Sequence, residues 1–242
     1  MNIISNARRQ IILDTETTGM NQGAGPVFMG HRIIEIGCVE VIDRKLTGRH
    51  FHEYINPMQL IDEEAIAVHG ITNEAVADKP VFAQIAKDFI EFIDGAEIVA
   101  HNANFDVSFM DHEFSLLNPK GPKTDEICQV LDSLEIAKFL HPGQKNNLDA
   151  LCKRYGIDNS RRELHGALLD AEILADVYLI MTGGQTKFEL SNDKPGQEGG
   201  GIQRLPQNRA KLKVIAASAD ELIKHEERLD LVAKSGQCLW RG

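Results

Sequence analysis

The apolar run Ile11-Ile12-Leu13 ends directly in two carboxylates one residue apart, Asp14 and Glu16. A run of this kind belongs at the edge of a core, and side chains two apart on an extended strand share a face, so the backbone aims both acids at one spot. Adjacent anions repel unless a cation lies between them. A metal ion, a Lys or Arg partner, or solvent can meet that demand, and the segment alone leaves the three open.

The remaining pattern describes a sheet covered by helices. Strands are expected at Gln10–Leu13, Arg32–Ile42 and His50–Ile55, the last closed by Asn56-Pro57, and a short buried strand at Ala96–Ala100. Phe82, Ile85, Phe89 and Ile93 recur at helical steps. Further helices are expected at Val107–Leu117, Ser133–Phe139, Leu148–Tyr155 and from about Gly166 to Met181. Strands first and then alternation point to a mixed α/β sheet flanked by helices.

The pattern breaks after Met181. Gly183-Gly184 reads as a helix stop, and KPGQEGGG, Lys194–Gly201, as a flexible linker. Leu212–Ile215 alternates like a short strand, and Ser218 with Glu221 has capping-box spacing for a helix running towards Gly236. The chain therefore divides into a main domain, residues 1–183, a linker, residues 184–209, and a C-terminal segment, residues 210–242, that carries the sole tryptophan, Trp240. A piece of about 35 residues is too small for a core of its own and is expected to fold against something larger.

Charge and cysteine usage narrow the function classes. A formal net charge of -10 opposes broad attraction to nucleic acid or anionic membrane, so a nucleic-acid enzyme of this composition needs divalent metals or a partner to supply positive charge. Cys38, Cys128, Cys152 and Cys238 are scattered without metal-type spacing, which fits reduced thiols in a cytoplasm. No basic-then-apolar leader precedes the first strand, and no apolar run approaches the roughly 18 residues of a membrane span. A cytoplasmic protein without membrane contact is expected.

A lone D-x-E is weak, but two further segments add to it. AHNANFD ends the second apolar strand with His101, Asn102 and Asp106, and LHGALLDA places His165 five residues before Asp170 where the long helix begins. Each segment delivers an acid at a border between strand or loop and helix, where active-site groups concentrate. In sequence, His31, His50, His52, His112, His141 and His225 have no such company and read as surface or packing residues.

The set D-x-E, N-x-x-F-D and H-x-x-x-x-D resembles the histidine-bearing branch of the DEDD 3′→5′ exonucleases. LDTETTGM, HNANFD, LHGALLDAEILADVYLIMTGGQT and the terminal CLWR are similar, in order and spacing, to the epsilon, or proofreading, subunits of bacterial DNA polymerase III. The resemblance spans nearly the whole chain and implies an RNase H-like domain that uses two divalent ions, Mg²⁺ or Mn²⁺. Hydrolysis of a phosphodiester needs charge stabilised on the attacking, leaving and phosphoryl oxygens, and two cations about 4 Å apart can do all three. Hard oxygen ligands suit such ions, and clustered carboxylates become tolerable once the ions neutralise them.

Carried over residue by residue, the resemblance has Asp14 bridge both ions, Glu16 and Asp170 complete one site, and Asp106 hold the second ion largely through water. His165 becomes the general base, a task suited to imidazole, whose ordinary value lies near about 6.5. Asp14, Glu16 and Asp170 also face the substrate. Glu64 is expected to accept from the terminal 3′-hydroxyl, His69 to touch the last nucleotide, and Thr15 to offer its amide or hydroxyl unless it is simply a strand former. Phe105 reads as a core residue, a base-stacking platform, or both.

The partners implied are a DNA 3′ end, the alpha (polymerase) subunit of DNA polymerase III through the C-terminal segment and Trp240, and a further small accessory subunit of the core. A sliding clamp is implied as a weak partner, because QTKFEL supplies Gln185, Phe188 and Leu190 but inserts Glu189 among the apolar anchors. Two other readings stay open: an exonuclease that trims RNA or short oligonucleotides, and a structural subunit that holds a replicase together.

Overall fold

The computed structural model describes residues 8–160, 164–183, 217–235 and 240. The linker peptide with Gln185, Phe188 and Leu190, and the strand expected at Leu212–Ile215, lie outside the described residues. Contacts group the chain into two units, residues 1–187 and 188–242.

The first unit holds five strands, β1 (Arg9–Thr17), β2 (Ile33–Ile42), β3 (Lys45–Tyr54), β4 (Glu97–Ala100) and β5 (Gln129–Asp132). Its helices are α1 (Glu63–His69), α2 (Asn73–Val76), α3 (Phe82–Ile93), α4 (Ala103–Leu117), α5 (Thr124–Ile127), α6 (Ser133–Leu140), α7 (Leu148–Tyr155) and α8 (Ala167–Gly183). The strands form one mixed sheet in the order β3-β2-β1-β4-β5, with β1 antiparallel to β2 and parallel to β4. β3 pairs antiparallel with β2, and β5 parallel with β4. This is the helix-flanked mixed sheet that the alternation of apolar runs implied.

Central β1 is buried on both faces, and its period-2 alternation assigns each side chain to a layer. Ile11 and Leu13 pack with Phe82, Phe89 and Ile93 of α3 and Phe109, Met110 and Phe114 of α4. Ile12 faces the other way, into Leu151 and Cys152 of α7 and Leu174, Val177 and Tyr178 of α8. Continued past the core, the alternation puts Asp14 and Glu16 on the α8 side and Thr15 on the α4 side.

Two close approaches lock α8 over the acids. Gly37 of β2 is the register partner of Asp14. A Cβ there would overlap the backbone of Ala167 and Leu168, so only glycine lets the first turn of α8 settle on the strand pair. Beside it, the buried Glu35 accepts a 3.0 Å hydrogen bond from the Ala167 amide, an orphan donor of the helix N-terminus.

Several elements differ from the sequence expectation. β1 runs on through both acids to Thr17, α4 starts four residues before Val107, and β5 is a fifth strand, parallel to β4, that periodicity did not reveal. In the second unit, α9 (Ala219–Ser235) begins at the expected capping box, with Ser218 Oγ accepting from the Glu221 amide and Glu221 Oε2 accepting from the Ser218 amide. Leu222, Ile223, Leu231 and Val232 on this helix are exposed, as is Trp240. Among the described residues no helix is long and apolar enough to cross a membrane.

Candidate active site

Asp14, Glu16, Asp106, His165 and Asp170 line one cavity of about 360 Å³. Segments far apart in sequence supply them: the C-terminal end of β1, the first turn of α4, and the entry and first turn of α8. Donor atoms of Glu16, His165 and Asp170 lie within 4.8 Å of one another. His165 Nδ1 is 3.3 Å from Asp170 Oδ2. Carboxylate oxygens at this spacing suit a hard divalent ion, and the imidazole beside them is a softer group left for other work.

Asp106 is almost wholly buried, and burial pushes its carboxyl up to about 7, against the pull of the Thr15 hydroxyl that donates to it at 2.7 Å. Thr15 sits between the two strand acids yet points to the opposite face, so its side chain serves the third acid. Burial also raises the Cys38 thiol, with the nearby Asp106 and Asp14 charges acting the same way; the described cysteines Cys38, Cys128 and Cys152 are all buried.

A second cavity, about 250 Å³, shares Glu16 and Phe105 with the first. Met20, Ala65 and Val68 give it apolar walls, and Glu64 and His69 lie on its border. His69 Nδ1 accepts from the Ile71 amide at 3.0 Å, which leaves Nε2 as the protonated nitrogen. That buried Nε2 has no hydrogen-bond partner. Burial lowers the affinity of the His69 ring for a proton, against the pull of the Thr17 backbone, so the ring is a neutral donor. Phe105, half-buried, packs on Phe109 with ring centroids 4.9 Å apart and forms the wall between the cavities.

Further residues build the frame of the site, and of these Asp132, Glu35, Asn147 and Asp149 carried no signal in the sequence. Asp132, at the end of β5, accepts from the amides of Asn102 and Ala103 at the start of α4 and of Leu134 in α6. Asn102 needs this support, because it holds a left-handed backbone with φ 72° just before the helix that carries Asp106. His101 is committed to the frame. Its Nε2 donates to the Asn146 carbonyl at 2.7 Å, its Nδ1 meets Ser133 Oγ at 3.0 Å, and burial keeps the ring neutral. His52, which read as bland, pairs with Glu35 at 2.7 Å, beside the register pair Glu16–Glu35, where two acids would otherwise stand opposed. Asn147 and Asp149 line the acid cavity as well.

A five-stranded mixed sheet whose central strand, α4 and α8 converge carboxylates on one cavity, with a histidine at the mouth of α8, defines an exonuclease of the RNase H-like class. The exonuclease family of the RNase T type matches residues 11–178. Among solved structures, exonuclease X in complex with 5′-overhanging duplex DNA is 28% identical, with a TM-score of 0.55 over 72% of this chain and 92% of that one. The nuclease domain of 3′hExo, a DEDDh family member bound to rAMP, shares the fold at 19% identity, with a TM-score of 0.59 over 74% of this chain and 94% of that one.

Full-length relatives narrow the class. The DNA polymerase III subunit epsilon of Salmonella typhimurium is 57% identical over 237 residues, 96% of this chain and 97% of that protein. Its counterpart in Escherichia coli is 56% identical over the same shares, and that of Haemophilus influenzae 53% identical over 97% of this chain and 95% of its own length. The chain belongs to the family of DNA polymerase III epsilon subunits.

Proposed function

We propose that this exonuclease removes mispaired 3′-terminal nucleotides from DNA as nucleoside monophosphates, working as the proofreading subunit of a cytoplasmic replicative polymerase. The observation that carries the reading is the convergence of Asp14, Glu16, Asp106, Asp170 and His165 on one cavity next to a second, apolar one of nucleoside size.

The four acids would hold two divalent ions, Mg²⁺ or Mn²⁺, with Asp14 placed between the sites. Bound there, the ions would supply charge neutralisation and stabilise the oxygens of the phosphoryl group. The protein's own groups do the rest. The terminal nucleoside enters the second cavity, where Phe105, Ala65 and Val68 offer apolar contact and His69 Nε2 donates to it. Glu64 accepts from its 3′-hydroxyl, and Thr15 holds Asp106 through both its hydroxyl and its amide. His165 takes the proton of the attacking water at Nε2, since Nδ1 turns towards Asp170. In the linker, Gln185, Phe188 and Leu190 would touch a sliding clamp weakly. The C-terminal segment with Trp240 would tether the polymerase subunit, and a small accessory subunit would complete the core.

Digestion of a 3′-mismatched DNA primer tests the reading. Mononucleotide release that requires Mg²⁺ or Mn²⁺ and exceeds that from RNA of the same sequence is expected. Full activity in excess chelator, or preference for RNA, would overturn it.

A further inference from the structure

A groove of about 460 Å³, walled in part by Leu134, opens from the acid cavity and shares His101, Asn102 and Asn147 with it. Lys138 of α6 and Gln144 of the loop before α7 extend it away from the acids. Among the described residues no carboxylate lines this groove, in a chain whose net charge is -10, although Glu135 pairs with Lys138 at its edge.

The frame of the groove is fixed. His101 donates to the Asn146 carbonyl, and Arg154 reaches both Asn146 Oδ1, at 3.0 Å, and the Lys145 carbonyl, at 2.8 Å, so the loop is anchored from two sides. Asn147 spends its Oδ1 on the Ala150 amide, which leaves Nδ2 as the end of its side chain not committed to α7. Asn102 and Gln144 are exposed. Lys138 is exposed too, and its 2.7 Å contact with Glu135 is a surface ion pair of the kind that holds little and yields readily to a competing anion. The amides at the starts of α4 and α6 are already taken by Asp132. What the groove offers an anion is therefore one ammonium and a line of side-chain amides.

A strand whose scissile phosphate lies at the acids has its last nucleoside on one side and all its other nucleotides on the other. The apolar cavity suits the single terminal nucleoside. The open, donor-lined groove on the opposite flank suits a chain of phosphates that must continue outward. We propose that the groove from Asn102 and Asn147 to Lys138 and Gln144 binds the backbone phosphate immediately 5′ of the scissile one, and so sets the direction in which the strand crosses the site. The assignment rests on the acid cavity being where the phosphodiester is cut.

The test uses the full chain with Mn²⁺ and three substrates: a short single-stranded oligonucleotide, the same oligonucleotide with a neutral methylphosphonate at the phosphate next to the scissile one, and the p-nitrophenyl ester of thymidine 5′-phosphate, which has no strand on the 5′ side. For the wild type, the methylphosphonate should raise KM on the order of fivefold, the size of one exposed charge contact. Lys138→Ala should raise KM for the natural oligonucleotide by a similar factor and make the enzyme indifferent to the methylphosphonate, while Lys138→Arg should restore the sensitivity. A wild type that ignores the methylphosphonate, or a Lys138→Ala enzyme as sensitive as the wild type, overturns the groove assignment even if both cleave the ester. Failure to cleave either the natural oligonucleotide or the ester would instead remove the functional reading on which it rests.

Discussion

The hydroxyl of Thr15 donates a 2.7 Å hydrogen bond to Oδ1 of Asp106. One strand thus carries two acids on one face and holds a third from the other. Thr15→Val keeps the shape and the strand propensity but removes that donor. Because burial raises Asp106 and the Thr15 hydroxyl opposes it, the variant's carboxyl should rise further. Activity near pH 7 should drop about fivefold, since a rise of about one unit from about 7 cuts the ionised share from about one half to about one eleventh, and recover as pH is raised towards 9. Thr15→Ser should restore the wild-type pH profile. A Thr15→Val enzyme with unchanged profile would mean that the bond does not position Asp106.

The same acid makes the metal-free protein sensitive to pH. A carboxyl lifted from 3.8 to about 7 in the fold binds its proton more tightly there than in the unfolded chain. Its contribution to stability is therefore complete below about pH 4 and is lost as pH rises through about 7. In chelator, thermal unfolding of the wild type should shift to lower temperature between pH 5 and pH 8 relative to Asp106→Asn, which stays neutral throughout. Added Mg²⁺ should raise the wild-type melting temperature more at pH 8 than at pH 5.5, since cation and proton compete for the carboxylate. Parallel melting curves for the two proteins across that range would contradict this.

Why some of the site could be read from the sequence and some could not follows from where each residue's signal lies. Asp14 and Glu16 follow an aliphatic run, and His165 and Asp170 open a long helical pattern, so local periodicity placed them at element ends. Leu148–Tyr155 was readable for the same reason: Asn147 caps it and Gly156, at φ 70°, ends it. Asp132 and Glu35 reach the helices that carry the site acids through partners 29 to 132 residues away, and nothing near them in sequence marks that role. β5 is four residues long, with Gln129 and Val130 exposed, too short for alternation to register. His69 was picked out by resemblance alone, and its unpartnered nitrogen is a property of packing that no spacing encodes.

Gly37 offers a test of how α8 is seated. Gly37→Ala puts a methyl into the backbone of Ala167 and Leu168, and neither neighbour is a flexible side-chain tip. The first turn of α8 must lift, at a cost of about 1–3 kcal/mol of stability, and it takes Asp170 with it. Hydrolysis should fall on the order of 10²-fold, as displacement of a reacting group by about 1 Å would predict, while circular dichroism stays native. Full activity together with native stability would show that the helix has room to spare.

His165 is half-exposed at the mouth of α8, and its amide is tied to the Val68 carbonyl of α1 at 3.2 Å. The backbone tie survives replacement of the side chain, so His165→Ala should fold as the wild type does. As a lost general base it should lower kcat by about 10²-fold or more with little change in KM. Steady-state kinetics on a short oligonucleotide decide the point, because a loss confined to KM would make His165 a binding residue.

The second unit should matter for association and not for chemistry. The site acids and the described residues that line both cavities all precede residue 184. α9 instead exposes Leu222, Ile223, Leu231 and Val232, and Trp240 is exposed beyond it, apolar surface of the sort that marks a partner site. With a net charge of -10 the chain has few cations for phosphate contacts, so affinity for free single strands should be poor. A tether to the polymerase would replace affinity with local concentration. Truncation after Gly183 should therefore leave hydrolysis of a short oligonucleotide within about twofold, within the range of surface changes remote from a site, while co-purification with the polymerase subunit is lost. Trp240→Ala in the full chain should weaken the same association and leave hydrolysis as it was. If the truncated protein still carries the polymerase subunit through a pull-down, the interface lies on the exonuclease domain and the tether has another purpose.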